Sequence, residues 1–233
     1  MILLSNKVDK KIIEHIKTFH DDIIFLPDIS SLPKEIAFHT DLGCFFVKDT
    51  LICCPEIYDF LKIELKDRNI KLLKGEKIPT GGYPKDIFYN AAIISNYMFC
   101  KEECTEPIIL QKITDLGYEI VNVKQGYTKC SISKVSERSI ITSDKEIEEK
   151  AKERGIRTFF ASNEGVKLNG FNNGFIGGAS FLIEKMIYFT GNLNDHPQIK
   201  ELYLYPTLNG VLINWCEAAP LYDYGSPIYI PNY

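Results

Sequence analysis

The chain has 233 residues, of which 45% are apolar and 25% charged. That length and balance suit a chain that buries a proper core and exclude a disordered one. A net charge of −4 offers no broad attraction to phosphate backbones or anionic membranes, so neither a nucleic acid nor a membrane is expected as a partner.

The opening residues Met1 to Leu4 are too short an apolar run for a signal-peptide core, and no stretch approaches the roughly 20 apolar residues of a membrane helix. The seven cysteines are an odd number, with Cys53 and Cys54 adjacent. Free thiols and a cytoplasmic location are the expectation. Cys100 and Cys104 make at most half a zinc site, and no second pair completes it, so no metal is expected.

Along the chain, Val8 to Phe19 has helical spacing and Ile23 to Leu26 follows as a strand. Cys44 to Cys54 reads as strand, polar turn, strand. Ala91 to Cys100, Ser131 to Thr142 and Ala179 to Thr190 repeat that hairpin pattern. After the first three hairpins come amphipathic helices, from Glu56, Ile109 and Glu146, each leading into an apolar strand. Asn69, Gly117 and Gly155 are placed to end those helices in the left-handed conformation, and Ser143-Asp-Lys-Glu146 reads as a capping box. Val211 to Trp215 and Ile228 to Ile230 are the last strands.

Hairpin, helix and strand thus recur every 40–50 residues or so, a period that marks propellers and arrays. The reading is a single domain over 1–233, with units at 37–80, 81–124, 125–168 and 169–215. A fifth unit, 1–36, is completed by the C-terminal strand, which closes the ring and removes exposed sheet edges. The competing architecture is an open α/β sheet with the same element order.

Five ββαβ units with pseudo-five-fold symmetry resemble the pentein fold of the guanidino-group-modifying enzymes, an α/β propeller. The segments Gln125-Gly-Tyr-Thr-Lys-Cys-Ser131 and Phe175-Ile-Gly-Gly-Ala-Ser180 are similar to those of an uncharacterised bacterial family within it. The resemblance implies either deiminase, dimethylarginine hydrolase or amidinotransferase chemistry, or a non-catalytic role like that of a ribosome anti-association factor. In the enzymes a cysteine attacks the guanidinium carbon, a histidine shuttles protons and carboxylates grip the cation. In several of them the cysteine follows a Gly-Gly pair, whereas here Gly177-Gly178 is followed by Ala179-Ser180.

In such a ring the residues that open each inner strand point toward the axis. These are His39 to Asp41, Asp86 to Asn90, Lys129-Cys130, Gly177 to Ser180, and Asp223 near Gly225. Cys130, beside Lys129 and among polar residues, is the candidate nucleophile; the alternative is a small buried cysteine in a strand. His39 and Asp41, two residues apart, share one side of an extended segment and suit proton transfer and cation binding, or a simple turn. Asp86, Asn90, Lys129 and Ser180 are the candidate substrate-binding residues; Asp86 also suits ordinary turn chemistry, Ser180 is also a weaker nucleophile candidate, and the Gly-Gly before it is also explicable by close backbone packing.

His196 reads as part of a helix start capped by Asn194 or Asp195, and His15 and His20 as surface residues. Asp144 reads as helix-start charge, and the tail from Trp215 to Tyr233 as ring closure. A P-loop, a GxGxxG fingerprint, HExxH and GxSxG are all missing, so no cofactor is expected. Two functions follow: a cofactor-free hydrolase or transferase acting on a guanidino or amidino compound, or a pentein that binds a small cation or a protein without catalysis.

Overall fold

The computed structural model describes residues 1–231. In chain order the first elements are β1 (Ile2–Ser5), α1 (Lys10–Ile16), β2 (Ile23–Leu26), α2 (Thr40–Gly43), β3 (Cys44–Val47) and β4 (Thr50–Cys53). Then come α3 (Tyr58–Glu64), β5 (Lys71–Lys74), β6 (Ala92–Ile94), β7 (Tyr97–Cys100), α4 (Pro107–Asp115) and β8 (Glu119–Asn122). The next are β9 (Ile132–Ser136), β10 (Ser139–Thr142), α5 (Lys145–Glu153) and β11 (Arg157–Phe160). The last are β12 (Ser180–Ile183), β13 (Met186–Phe189), α6 (Ile199–Leu208), β14 (Leu212–Trp215) and β15 (Ile228–Tyr229).

The strands form five separate three-stranded sheets rather than one open sheet. In four of them a hairpin pairs the first two strands antiparallel, and a helix then carries the chain to a third strand parallel to the second. A parallel pair needs such a crossover, which is why each amphipathic segment lies between hairpin and strand. The fifth sheet is made from both ends of the chain: β15 pairs antiparallel with β1, with Leu3 opposite Ile228, and β1 pairs parallel with β2. The first strands touch in sequence around the axis, β6 against β9, β9 against β12 and β12 against β15. This is the five-bladed α/β propeller of the pentein fold.

The register repeats from blade to blade. Phe46 lies opposite Leu51, Ile93 opposite Met98, Lys134 opposite Ile140, Leu182 opposite Ile187, and Ile228 opposite Leu3. The five residues on the middle strands are fully buried, as sheet positions under a helix must be. Their five partners on the inner strands are half-buried. One side chain per blade therefore faces the central axis at the same level.

Gly117 and Gly155 are left-handed as their helix-ending positions require, with φ of 71° and 68°. Asn69 does not adopt that conformation. The capping box is also displaced by one residue: Asp144 accepts from the Ile147 amide, while Glu146 pairs with Lys150 and accepts from the Lys124 amide. His196 is not preceded by a helix cap at Asn194 or Asp195. Asn192 accepts from the Asn194 amide, and α6 starts only at Ile199. His15 and His20 are half-buried, His15 meeting the Tyr188 hydroxyl at 2.9 Å and His20 lying edge-on to Tyr229. The tail is described to Pro231; Asn232 and Tyr233 lie outside the described residues. No helix among the described residues is long and apolar enough to cross a membrane.

Candidate functional site

The polar residues that open the inner strands meet on the axis. Cys130 lies in the turn just before β9, where the Cys130 carbonyl accepts from the Gly178 amide at 3.0 Å. Asn90, just before β6, holds that turn. Its side-chain oxygen accepts from the Lys129 amide at 2.7 Å and the Cys130 amide at 3.4 Å, and its amide group donates to Cys130 Sγ at 3.3 Å. Two backbone donors that would otherwise be buried without partners are thereby satisfied. Asn90 thus holds the turn that carries the thiol.

Asp41 comes from the short helix α2 before β3, and Cys130 Sγ donates to its Oδ2 at 2.9 Å. His39 sits two residues earlier, its Nε2 3.9 Å from Asp223 Oδ1 and without a hydrogen-bond partner among the described residues. Asp41 Oδ1 is likewise buried and unpartnered. His39, Asp41, Cys130 and Asp223 are all buried. The donor atoms of His39, Asp41 and Cys130 lie within 4.8 Å of one another, so the three could also hold a thiophilic divalent ion. Sequence spacing hides that set because its third member comes from another blade.

Burial governs the charge states. It pushes His39 down to about 4, although Asp41 opposes the shift, and so keeps the imidazole neutral. It raises Asp41 against the opposing pull of His39 and of the Cys130 hydrogen bond. Burial, and then the two nearby carboxylates, holds the Cys130 thiol well above its ordinary range. Lys129 is lowered by burial, with Asp41 and Cys130 drawing it back up. Asp223 is pushed up to about 6, with backbone hydrogen bonds from Phe175 and Gly225 resisting.

The Gly177-Gly178 pair has a packing role. A Cβ on Gly178 would run into the Asp223 carboxylate, and one on Gly177 would run into the Cys130 carbonyl and Ile132. The closing loop passes through this gap. Asp223 accepts from the Phe175 and Gly225 amides at 2.8 and 2.9 Å, and Ser226 donates to the Gly177 carbonyl at 2.8 Å. Gly225, at φ 75°, lies against His39, where its carbonyl accepts from the Asp41 amide at 3.1 Å.

Two of the expected substrate-binding residues also make hydrogen bonds within the protein, and the Asp86 Oδ1 is buried without a partner among the described residues. Ser180 donates to the Ile176 carbonyl at 2.9 Å and shares a hydrogen bond with Ser133, which ties β12 to β9. Asp86 accepts from the Tyr127 hydroxyl at 2.5 Å, and Tyr127 stacks between Tyr83 and Phe175. Asp223 was legible only by position, as the polar residue preceding the last inner strand; nothing in its own neighbours marks it as facing His39.

On the hairpin side the axis opens into a cavity of about 530 Å³. Asp41 and Lys129 line its inner end, and Phe46, Ile93, Leu182, Ile228 and Lys134 line its walls. Lys48, Ser95, Glu137 and Glu184, at the hairpin turns, border its mouth.

Known structures share this architecture. Dimethylarginine dimethylaminohydrolase, as an adduct with S-methyl-L-thiocitrulline, superposes with a TM-score of 0.61 at 8% identity, covering 95% of this chain and 86% of that one. A mutant of the enzyme from Pseudomonas aeruginosa, complexed with citrulline, gives 0.58 at 9%, covering 89% and 79%. The C. jejuni agmatine deiminase gives 0.52 at 12%, covering 93% and 86%. Identities this low speak for the fold alone. No curated protein sequence matches the chain. A family model does match it, over residues 3–228, and the chain belongs to that family, described as a family of unknown function (DUF6873).

Proposed function

We propose that this protein is a cofactor-free enzyme that cleaves a C–N bond of a small amidino or guanidino compound, with Cys130 as nucleophile. The observation that carries the reading is the Cys130 thiol donating to the Asp41 carboxylate beside a neutral His39 whose Nε2 has no hydrogen-bond partner among the described residues. A ligand cation arriving at Asp41 offsets the carboxylates that keep the thiol protonated, so it activates its own nucleophile. Sulfur attacks the amidinium carbon as the thiol proton passes to Asp41. The C–N bond to the leaving amine then breaks as Asp41 passes that proton on to the amine, leaving a thioimidate or thiouronium on sulfur. Water, deprotonated by His39, attacks the same carbon and the C–S bond breaks as the proton on His39 passes to sulfur, which returns the thiol and gives an amide or urea. Covalent catalysis of this kind divides one difficult displacement into two easier ones.

A second reading, a pentein that binds a small cation without turnover, is favoured by one observation. The thiol at rest is held well above its ordinary range, which suits a hydrogen-bonding group as well as a nucleophile. The test is intact-mass labelling with 2-chloroacetamidine, a cationic thiol reagent. Fast single labelling near neutral pH, lost in Cys130→Ala and slowed by guanidinium, supports the enzyme. Slow labelling spread over several cysteines and unchanged by the substitution overturns it.

A further inference from the structure

The five-fold register gives the channel a wall of one side chain per blade, and four of the five are apolar: Phe46, Ile93, Leu182 and Ile228. The fifth, Lys134, is already engaged, donating to Glu137 at the mouth at 2.6 Å. No arginine is among the described residues lining the cavity. Carboxylates and phosphates are gripped best by arginine forks. Of the lysines lining the cavity, Lys134 is paired with Glu137, Lys48 lies over the Tyr118 ring and Lys129 stands at the inner end, so the collar of Phe46, Ile93, Leu182 and Ile228 itself presents no partner for a second, anionic group on the ligand. At the inner end, by contrast, stands the Asp41 carboxylate with an unpartnered buried oxygen. The cavity thus sets the Asp41 carboxylate, with Lys129 nearby, at its base and an apolar collar above it, and its mouth lies among the hairpin turns. Burial of apolar area is the main source of affinity such a collar can provide.

We infer that the ligand is a guanidine or amidine carrying an uncharged hydrocarbon substituent, entering between the hairpin turns, with its cationic head at Asp41 and its apolar body inside the ring of Phe46, Ile93, Leu182 and Ile228. This rests on the proposed function only for the cationic head. The apolar body is argued from the collar alone. An ω-guanidino acid of the same length would place its carboxylate among those four side chains or against the Lys134–Glu137 ion pair, and is disfavoured.

The test is calorimetric titration of the full chain with three probes: guanidinium chloride, n-butylguanidine and 4-guanidinobutyrate. The last two differ in whether a methyl group or a carboxylate ends the chain. n-Butylguanidine is expected to bind about tenfold or more tightly than either other probe, since each buried methylene adds to affinity. Leu182→Asn is expected to remove that preference. Ile93→Asn serves as a second variant should the first fail to fold, with circular dichroism verifying each. Equal or tighter binding of 4-guanidinobutyrate overturns the inference, as does a butyl preference that survives both substitutions, and as does binding of none of the three. The same titrations on Cys130→Ala separate the two ideas: a butyl preference that persists while 2-chloroacetamidine fails to label Cys130 in the wild type upholds the ligand class and sinks the enzyme.

Discussion

Cys130 and Asp41, separated by 89 positions in the chain, share a hydrogen bond of 2.9 Å in which the thiol is the donor. A thiol that donates to a carboxylate is protonated, and the carboxylate that accepts from it resists its ionisation. Asp41 is thus the acceptor for the thiol's proton and, after burial itself, the strongest influence that keeps the thiol protonated.

Replacing Asp41 by Asn removes that negative charge. The Cys130 thiol is then expected to ionise at lower pH, and its alkylation by neutral iodoacetamide at pH 8 to become several-fold faster, while any turnover of amidines is lost. Rates for Asp41→Asn and wild type, read by intact mass, decide the matter. An alkylation rate that is unchanged or lower would show that Asp41 does not restrain the thiol.

Asn90 is expected to stabilise the turn that carries Cys130. Asn90→Ala leaves the Lys129 and Cys130 amides without their side-chain acceptor, a loss of about 1–3 kcal/mol. Asn90→Asp keeps the acceptor and adds a charge beside sulfur, so it should slow Cys130 labelling more than it lowers stability. Denaturant midpoints together with labelling rates distinguish the two variants, and an Ala substitution without effect on the midpoint would refute the role.

Gly178→Ala drives a methyl group into the Asp223 carboxylate. Overpacking of this kind costs about 1–3 kcal/mol. Because the listener to that clash is one side chain, Asp223→Ala should recover part of the loss, giving a favourable coupling in a double-mutant cycle. Strict additivity of the two changes would mean that the glycine is required for some other reason.

His196 supplies the pH-dependent prediction. Its Nε2 faces the Ser162 carbonyl at 3.0 Å while Nδ1 meets the Gln198 amide at 3.0 Å. Nδ1 must therefore be the unprotonated nitrogen. Burial lowers the group below its ordinary 6.5. With the folded value below the unfolded one, the unfolded chain takes up the proton first as pH falls. Stability from His196 is thus present above about 6.5, the unfolded value, and is lost as the pH drops from there toward the folded value. His196→Asn, which retains an acceptor for Gln198, should flatten the dependence of unfolding free energy on pH between 7 and 5 relative to wild type. Parallel pH profiles for the two proteins would exclude this account.

The blades were legible in the sequence because their signals are local. Alternating apolar runs such as Thr50 to Cys53, polar turns, and glycines such as Gly117 and Gly155 report on neighbours within a few residues. Ring closure was legible as well, since an N-terminal strand without its hairpin partner and a C-terminal strand without a helix leave complementary gaps. Asn69 and Ser143 were misread because several residues can serve at a helix end, and packing beyond the helix chooses between them.

What the sequence by itself determined is therefore the repeat, the blade architecture and which polar residues stand at the blade starts. Only the tertiary structure decided their parts. It joined Asn90 to the backbone of Lys129, turned Ser180 toward Ser133 and Ile176, gave Asp86 to Tyr127, and brought Asp223 from the closing loop to within 3.9 Å of His39. It also set Phe46, Ile93, Leu182 and Ile228 at one level around the axis. The physical reason is that secondary structure follows interactions a few residues long, whereas the site lies where five blades converge. The contacts there depend on ångström-scale positions of segments as distant in the chain as those of His39 and Asp223, and those positions are fixed only once every blade has packed against its neighbours.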